Sequence, residues 1–291
     1  MGFDPRTNAF RVDLADSSLR NSVTAAKYVD PVLHQCWHGV VPLLAAPQAD
    51  AQQISQVRYG EFIDVFETRK DGFLWVQNRS DHYVGYMPQV GELGNSIAEL
   101  SNRVTALRTF VYPKPDLKTP PIDELTLGSY ISIVGQQGRF LELTSGGFVF
   151  EAHVMATEFA NSPDYVFTAG RLLHTPYLWG GRTPKGIDCS GMVQLVLEMA
   201  GIDIPRDCDQ QREAIGKPLD THWRDKAWRR GDIIFILDPF RAPHIGIMTG
   251  SDHIIHANAF TMDVTVEPLA DLVARNNEIV AVAEAKDFRL S

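Results

Sequence analysis

Between about Val23 and Glu158 the apolar residues fall in short alternating runs, not at helical spacing. EFIDVFE, GFLWVQN and YVGYMP are rich in β-branched and aromatic residues and are separated by Gly and Asn, the pattern of short strands in a small barrel or sandwich. The plan returns after 68 residues: Pro47, Ile54, Gly60, Phe62, Ile63 and Val65 fall on Pro115, Ile122, Gly128, Tyr130, Ile131 and Ile133. Each copy then sets out an aromatic strand, GFLWVQ in the first and GRFLEL in the second. Shared β-composition produces part of such a match by itself; its gapless register favours two related all-β modules, at 24–95 and 101–158. SNRVTALRTF opens the second, and YPKPDLKTPPIDE is a loop inside it, because prolines at that density do not sit in central strands. Residues 1–23 show little periodicity and read as an N-terminal arm.

After residue 160 the period changes. SPDYVFTAGRLLHTPYLWGG predicts a helix that ends before Pro176. SGMVQLVLEMAG is a second helix, apolar almost all round and therefore buried, closed by Gly201 where a left-handed cap is common. Strands DIIFIL, HIGIMTG and HIIHANA follow, then a short helix PLADLVARNN and a final strand IVAVAEA. Turn signals at LDPFRAP and TGSD separate the strands. Helices first and antiparallel strands after give an α+β domain over 160–291.

At 291 residues and 44% hydrophobic the chain can bury a core in each part. A net charge of −9 argues against a general nucleic-acid surface, which needs clustered Lys and Arg. No apolar run approaches the ~18 residues of a membrane span, so none is expected. The opening MGFDPRTNAFRVDLADSSLR has no apolar segment ahead of a cleavage site, and a cytoplasmic location is expected. Cys36, Cys189 and Cys208 form no CxxC pair, which suits a reducing compartment better than a disulfide framework.

The candidate chemistry centres on Cys189, just ahead of the apolar run in GIDCSGMVQLVLEMAG. Asp188 is placed to cap the helix, and a sulfur in the first turn meets free N–H groups and a dipole that favour the thiolate. A packed cysteine would require neither that cap nor Gly191, and small residues at 190 and 191 leave room for a substrate backbone over the sulfur. Thiol catalysis also needs a histidine and a group that holds it. His244 begins a strand and alternates onto the face of Gly246 and Met248; His256 lies on the face opposite His253. Antiparallel pairing of these strands can bring His244 beside His256; otherwise each imidazole is a satisfied core or edge residue. Cys189, His244 and His256 could also be three zinc ligands with an open position, but no HExxH or CxxC pair supports that, so neither metal nor cofactor is expected. Ser190 lacks the GxSxG elbow of a serine hydrolase.

TPYLWGGRTPKGIDCSGMV, HIGIMTG and HIIHANA, in that order, resemble the signatures of the NlpC/P60 papain-like cysteine peptidases of bacterial cell walls. The repeated modules resemble bacterial SH3 domains, so the expected fold is two small all-β SH3-like barrels followed by a papain-like α+β domain. The layout is similar to the γ-D-glutamyl-L-diamino acid endopeptidases, the dipeptidyl-peptidase VI type, which recycle murein peptides. The resemblance implies Cys189 as nucleophile, His244 as base and His256 as the residue orienting it. It makes Tyr177 a candidate for oxyanion stabilisation and gives Asp188 and Ser190 to the D-glutamyl group of the substrate. PRDCDQQ resembles a pocket segment of PRDS type, which adds Arg206, Asp207 and Cys208; a thiol at 208 is a poorer donor than the frequent hydroxyl. Glu61 in RYGEF and Tyr83 in DHYVGYMP are implied to hold the free amine of L-Ala. The implied substrates are murein peptides such as L-Ala-γ-D-Glu-diamino acid. Hydrolysis of intact wall stems, and wall-peptide binding without catalysis, are the alternatives.

Overall fold

The structure, a computed structural model, describes residues 2–90, 98–219, 226–238, 241–275 and 278–288. It divides into two compact units, Met1–Ala160 and Asn161–Ser291. The range ends at 95 and 291 expected from the sequence lie outside the described residues.

In the first unit alternating strands build one six-stranded antiparallel sheet. Its members are β1 (Val32–Gln35), β2 (Val40–Leu44), β3 (Gln53–Arg58), β4 (Phe62–Thr68), β5 (Phe73–Asn78) and β6 (Val84–Pro88). The spatial order is β1-β4-β5-β6-β2-β3. Alternate residues such as Val41, Leu43, Ile63, Leu74, Val76 and Met87 meet in its core. The barrel expected from the sequence is not formed: β1 and β3 end the order without pairing with one another, and no sheet among the described residues closes.

Residues 101–158 make three smaller sheets around Val104, Val111, Leu125, Ile131, Leu143 and Val149. The proline-rich loop falls between the paired strands Arg108–Val111 and Asp123–Thr126. The sequence repeat is visible at one turn. Gly60 and Gly128 take the same left-handed conformation, with φ of 86° and 87°. In the first copy the Glu61 carboxylate accepts the Arg58 N–H at 2.8 Å; in the second, the Ser129 hydroxyl accepts the Thr126 N–H at 3.3 Å.

The N-terminal segment packs within the first unit. Leu14–Asp16 pairs in parallel with Lys27–Val29, and Ala9 and Leu14 pack with Phe66, Trp75 and Val84. The Arg11 guanidinium lies 4.2 Å from the Trp75 ring centroid and pairs with Glu67. Isolated anchors like these leave no periodic signature.

The second unit opens with α1 (Tyr165–Arg171), capped by Asp164, and ends that helix five residues before Pro176. Helix α2 (Cys189–Met199) is capped by Asp188, buried from Ser190 through Leu197, and closed by Gly201 at φ 79°, as its sequence predicts. Helix α3 (Cys208–Ile215) follows. A six-stranded antiparallel sheet completes the unit: β7 (Lys217–Pro218), β8 (Ile233–Leu237), β9 (Pro243–Met248), β10 (His253–Asn258), β11 (Asp263–Pro268) and β12 (Glu278–Ala283), in the order β7-β12-β8-β9-β10-β11. Between β11 and β12, α4 (Leu269–Ala274) packs Leu269 and Leu272 on Ile234, Met248 and Ile254. Helix α3 and strand β11 were not expected from the sequence. No helix among the described residues is long and apolar enough to cross a membrane.

Candidate active site

The site is built on the start of α2. The Asp188 side chain caps the helix by accepting the Gly191 N–H at 2.7 Å, and it accepts the Gly180 N–H at 2.9 Å. Arg206, 1% exposed, clasps both carboxylate oxygens at 3.0 and 2.6 Å and donates to the Ser190 hydroxyl at 2.8 Å. Ser190 in turn donates to Asp188 at 3.2 Å. Asp188, Ser190 and Arg206 therefore form a closed network beside Cys189, whose polar atoms are engaged with one another. A β-carbon on residue 191 would stand 2.1 Å from the Gly181 carbonyl oxygen. Glycine is required for packing of the helix against the preceding loop.

Cys189 keeps partial exposure, while Cys36 and Cys208 are buried. The Cys189 sulfur meets the backbone N–H groups of Ser190 and Ile245, which brings it to the residue next to His244. The register between β9 and β10 runs through Ile247↔Ile255 and Met248↔Ile254. Alternation then puts His244 and His256 on the same face, and Gly246 leaves the space between: a β-carbon at 246 would lie 3.1 Å from that of His256. His244 Nε2 and His256 Nδ1 are 2.7 Å apart. The far nitrogen of His256, Nε2, is 2.8 Å from Glu267 Oε1 on β11. Arg275, just after α4, grips Glu267 through both oxygens at 2.5 and 2.8 Å. The row thus runs His244, His256, Glu267, Arg275. With His244 Nε2 and His256 Nδ1 turned on one another, the three-ligand metal set considered from sequence loses those two nitrogens.

Burial dominates the electrostatics. It pushes the Cys189 thiol up to about 12, reinforced by the neighbouring Asp188 and opposed by the Ser190 N–H and Arg206. Desolvation and the adjacent Asp188 carboxylate thus oppose the thiolate that the start of α2 favours. Burial likewise takes His244 down to about 3, with His256 and Arg275 adding to the shift. His256 is lowered by burial against the pull of Glu267. Burial raises the Glu267 carboxyl, but Arg275 and His256 more than offset it and hold Glu267 below its ordinary value.

Tyr177 sits beside this group, its N–H bonded to the Met262 carbonyl at 2.8 Å and its backbone bridged to Ile187. Burial raises its phenol, and the nearby Cys189 and Asp188 raise it further. Asp207 precedes α3 without a side-chain capping bond, and Cys208 opens that helix with a thiol raised by burial and by Cys189. Glu61 and Tyr83 belong to the first unit. Glu61, 3% exposed, is ion-paired with Arg58 at 2.8 Å and accepts from Asn78 and Ser80, each at 3.0 Å. Tyr83 is buried in the core of the first sheet. An ammonium reaching Glu61 would have to share its carboxylate with Arg58. The residues that sequence reasoning missed are Glu267 and Arg275; the alternating VTV of DVTVEP was the available signal for the strand that carries Glu267.

Residues 174–281 match the NlpC/P60 family, and residues 43–90 match the bacterial dipeptidyl-peptidase Sh3 domain. The chain is 25% identical over 248 residues to dipeptidyl-peptidase 6 of Lysinibacillus sphaericus, an alignment covering 78% of this chain and 88% of that one. It is also 25% identical over 243 residues to gamma-D-glutamyl-L-lysine dipeptidyl-peptidase of Bacillus cereus, covering 74% and 70%. The crystal structure of an NlpC/P60 family protein from Bacillus cereus has the same fold, with a TM-score of 0.72 at 18% identity over 87% of this chain and 99% of that one.

Proposed function

We propose that this chain, which carries an NlpC/P60 cysteine peptidase domain and a bacterial SH3 domain, hydrolyses the γ-D-glutamyl-L-diamino acid bond of murein peptides with a free N-terminal L-Ala. The observation that carries the reading is the 2.7 Å contact of His244 with His256 at the strand end whose Ile245 N–H meets the Cys189 sulfur. The substrate class is drawn from the two dipeptidyl-peptidase relatives. Residues 101–158 are read as a second SH3-like module, supported by the shared turn at Gly60 and Gly128, and the C-terminal domain as papain-like. A recycling role carries with it a cytoplasmic location.

In this mechanism neutral His244 takes the thiol proton as the Cys189 sulfur attacks the γ-carbonyl carbon of D-Glu. The C–S bond forms and the carbonyl oxygen gains the negative charge, which backbone N–H groups at the start of α2 and the Tyr177 hydroxyl are assigned to meet. Collapse breaks the C–N bond, and His244 protonates the departing amine of the diamino acid. Water, deprotonated by His244, then cleaves the γ-glutamyl thioester; L-Ala-D-Glu leaves and the thiol is restored. Asp188 and Ser190 are assigned to the D-glutamyl group, backed by Arg206, with Asp207 and Cys208 at the pocket edge. Glu61 and Tyr83 are assigned to the amine end.

The test is to incubate the protein with L-Ala-γ-D-Glu-L-Lys, with its meso-diaminopimelate counterpart and with purified wall, and to identify the products by mass. Release of L-Ala-D-Glu from the free peptides, abolished by Cys189→Ala, is the expected result. Cleavage of wall alone would replace this reading with hydrolysis of intact stems; cleavage of none would leave a binding role.

A further inference from the structure

We propose that Glu267, clamped by Arg275, is a positioning residue that fixes the proton positions of the His256–His244 pair and leaves Nδ1 of His244 bare for the Cys189 thiol. The proposal rests on the reading of Cys189 and His244 as nucleophile and base. Donors and acceptors along the row fix where each hydrogen sits. Glu267 Oε1 lies 2.8 Å from His256 Nε2, and both carboxylate oxygens accept from Arg275. An ionised carboxylate can only accept, so His256 Nε2 carries the hydrogen. Neutral His256 then has a lone pair at Nδ1, which makes the contact with His244 at 2.7 Å a hydrogen bond donated by His244 Nε2. Neutral His244 has its remaining lone pair at Nδ1, the nitrogen not turned towards His256.

Asn258 shows what the carboxylate prevents. Its Oδ1 accepts the N–H groups of Phe260 and Thr261, so its amide nitrogen is the group left facing His256 Nε2, at 3.4 Å. Without Glu267 that amide would favour a lone pair on His256 Nε2. The hydrogen would move to Nδ1 and His244 would accept it at Nε2. A neutral His244 would then carry its hydrogen at Nδ1 and could not take one from sulfur. Glu267 keeps the pair in the productive arrangement, and when His244 accepts the thiol proton the new imidazolium faces the carboxylate through one intervening ring. No proton passes to Glu267. Besides one another, the charged and titratable groups that act on the two rings are Asp263 and Glu267 from β11 and Arg275 after α4.

The test compares wild type, Glu267→Met, Glu267→Gln and Arg275→Met by nitrogen NMR of the histidine rings, by the pH profile of Cys189 alkylation and by peptide hydrolysis. Wild type should show hydrogen on Nε2 of both rings. Glu267→Met should move it to Nδ1 and slow both alkylation near neutral pH and hydrolysis by about 10-fold or more, within the range that general-base catalysis supplies. Glu267→Gln, which retains an acceptor oxygen, should recover part of the wild-type pattern. Arg275→Met should move the same readouts in the same direction by less, and it reads the chain should Glu267→Met fail to fold. Ring protonation and alkylation profiles unchanged in a folded Glu267→Met protein, or in Arg275→Met where only that variant folds, would overturn the proposal. The ring signals do not depend on turnover: a wild type that shows the expected arrangement but cleaves no murein peptide overturns the assigned substrate and leaves this inference standing.

Discussion

The carbonyl oxygen of Gly181 occupies the space that a β-carbon on residue 191 would need, at 2.1 Å. This approach holds the first turn of α2, and with it Cys189, against the loop that carries Tyr177. Backbone cannot yield there as the end of a flexible side chain could. Gly191→Ala should therefore shift the helix start, abolish peptide hydrolysis and cost about 1–3 kcal/mol, the usual range for overpacking. Gly170 in α1 offers the matched control, because nothing lies within 4 Å of the β-carbon it lacks. Gly170→Ala should raise stability by about 0.5–1 kcal/mol and leave hydrolysis intact. Thermal unfolding and peptide assays on both variants check the pair.

The Asp188–Arg206 pair is the next point at which the site can be broken. Its side chains are 11% and 1% exposed, and Arg206 reaches both oxygens of a carboxylate that also caps α2. Arg206→Met keeps most of the volume but leaves Asp188 buried without its counter-ion. A loss of about 3–5 kcal/mol is expected from breaking one side of such a pair. Unfolding in denaturant, followed by a probe in the second unit, measures it; a loss below 1 kcal/mol would show that the pair is hydrated in solution.

Local features of this site were readable in the sequence because they act over a few residues. The Asp188 cap, the buried α2 and the Gly201 terminus each depend on neighbours within one or two turns. Strand alternation placed His244 and His256 on faces that could meet. Arg206 was implied as a pocket residue, yet its bond to Asp188 spans 18 residues and has no local pattern. Glu267 was hidden for a related reason: it reaches His256 only because β11 pairs with β10, with Thr265 opposite His256. The expected barrels failed on the same ground, since closure depends on whether β1 and β3 meet, a property of the assembled sheet that alternation along one strand does not encode.

Thiol chemistry separates the three cysteines. Cys36 and Cys208 are buried, and burial pushes the Cys36 thiol up to about 12. Iodoacetamide should therefore modify native protein at Cys189 alone, with the other two sites appearing only on unfolding. Because the Cys189 thiol is also raised to about 12, its alkylation rate should keep climbing through pH 9 instead of levelling off near neutrality. Peptide mapping by mass spectrometry across a pH series reads both features, and a plateau near pH 7 would establish a resting thiolate.

The two imidazoles tie stability to pH. His244 is brought down to about 3 from 6.5 by burial, with His256 and Arg275 contributing, so between those values the unfolded chain binds a proton that the folded chain does not. Stability must then fall as pH drops through this window, with a slope approaching about 1.4 kcal/mol per pH unit for each such group. His256 is lowered as well and acts in the same direction. Glu267, held below its ordinary value, also loses its contribution on acidification, but at a lower pH, as its unfolded carboxyl begins to titrate. The range from pH 6.5 to 5 therefore isolates the histidines. His244→Leu should flatten the loss of stability over that range without removing it, since His256 remains. Denaturant unfolding of the second unit at half-unit steps of pH checks this, and equal slopes in wild type and His244→Leu would mean that His244 is protonated in the folded protein.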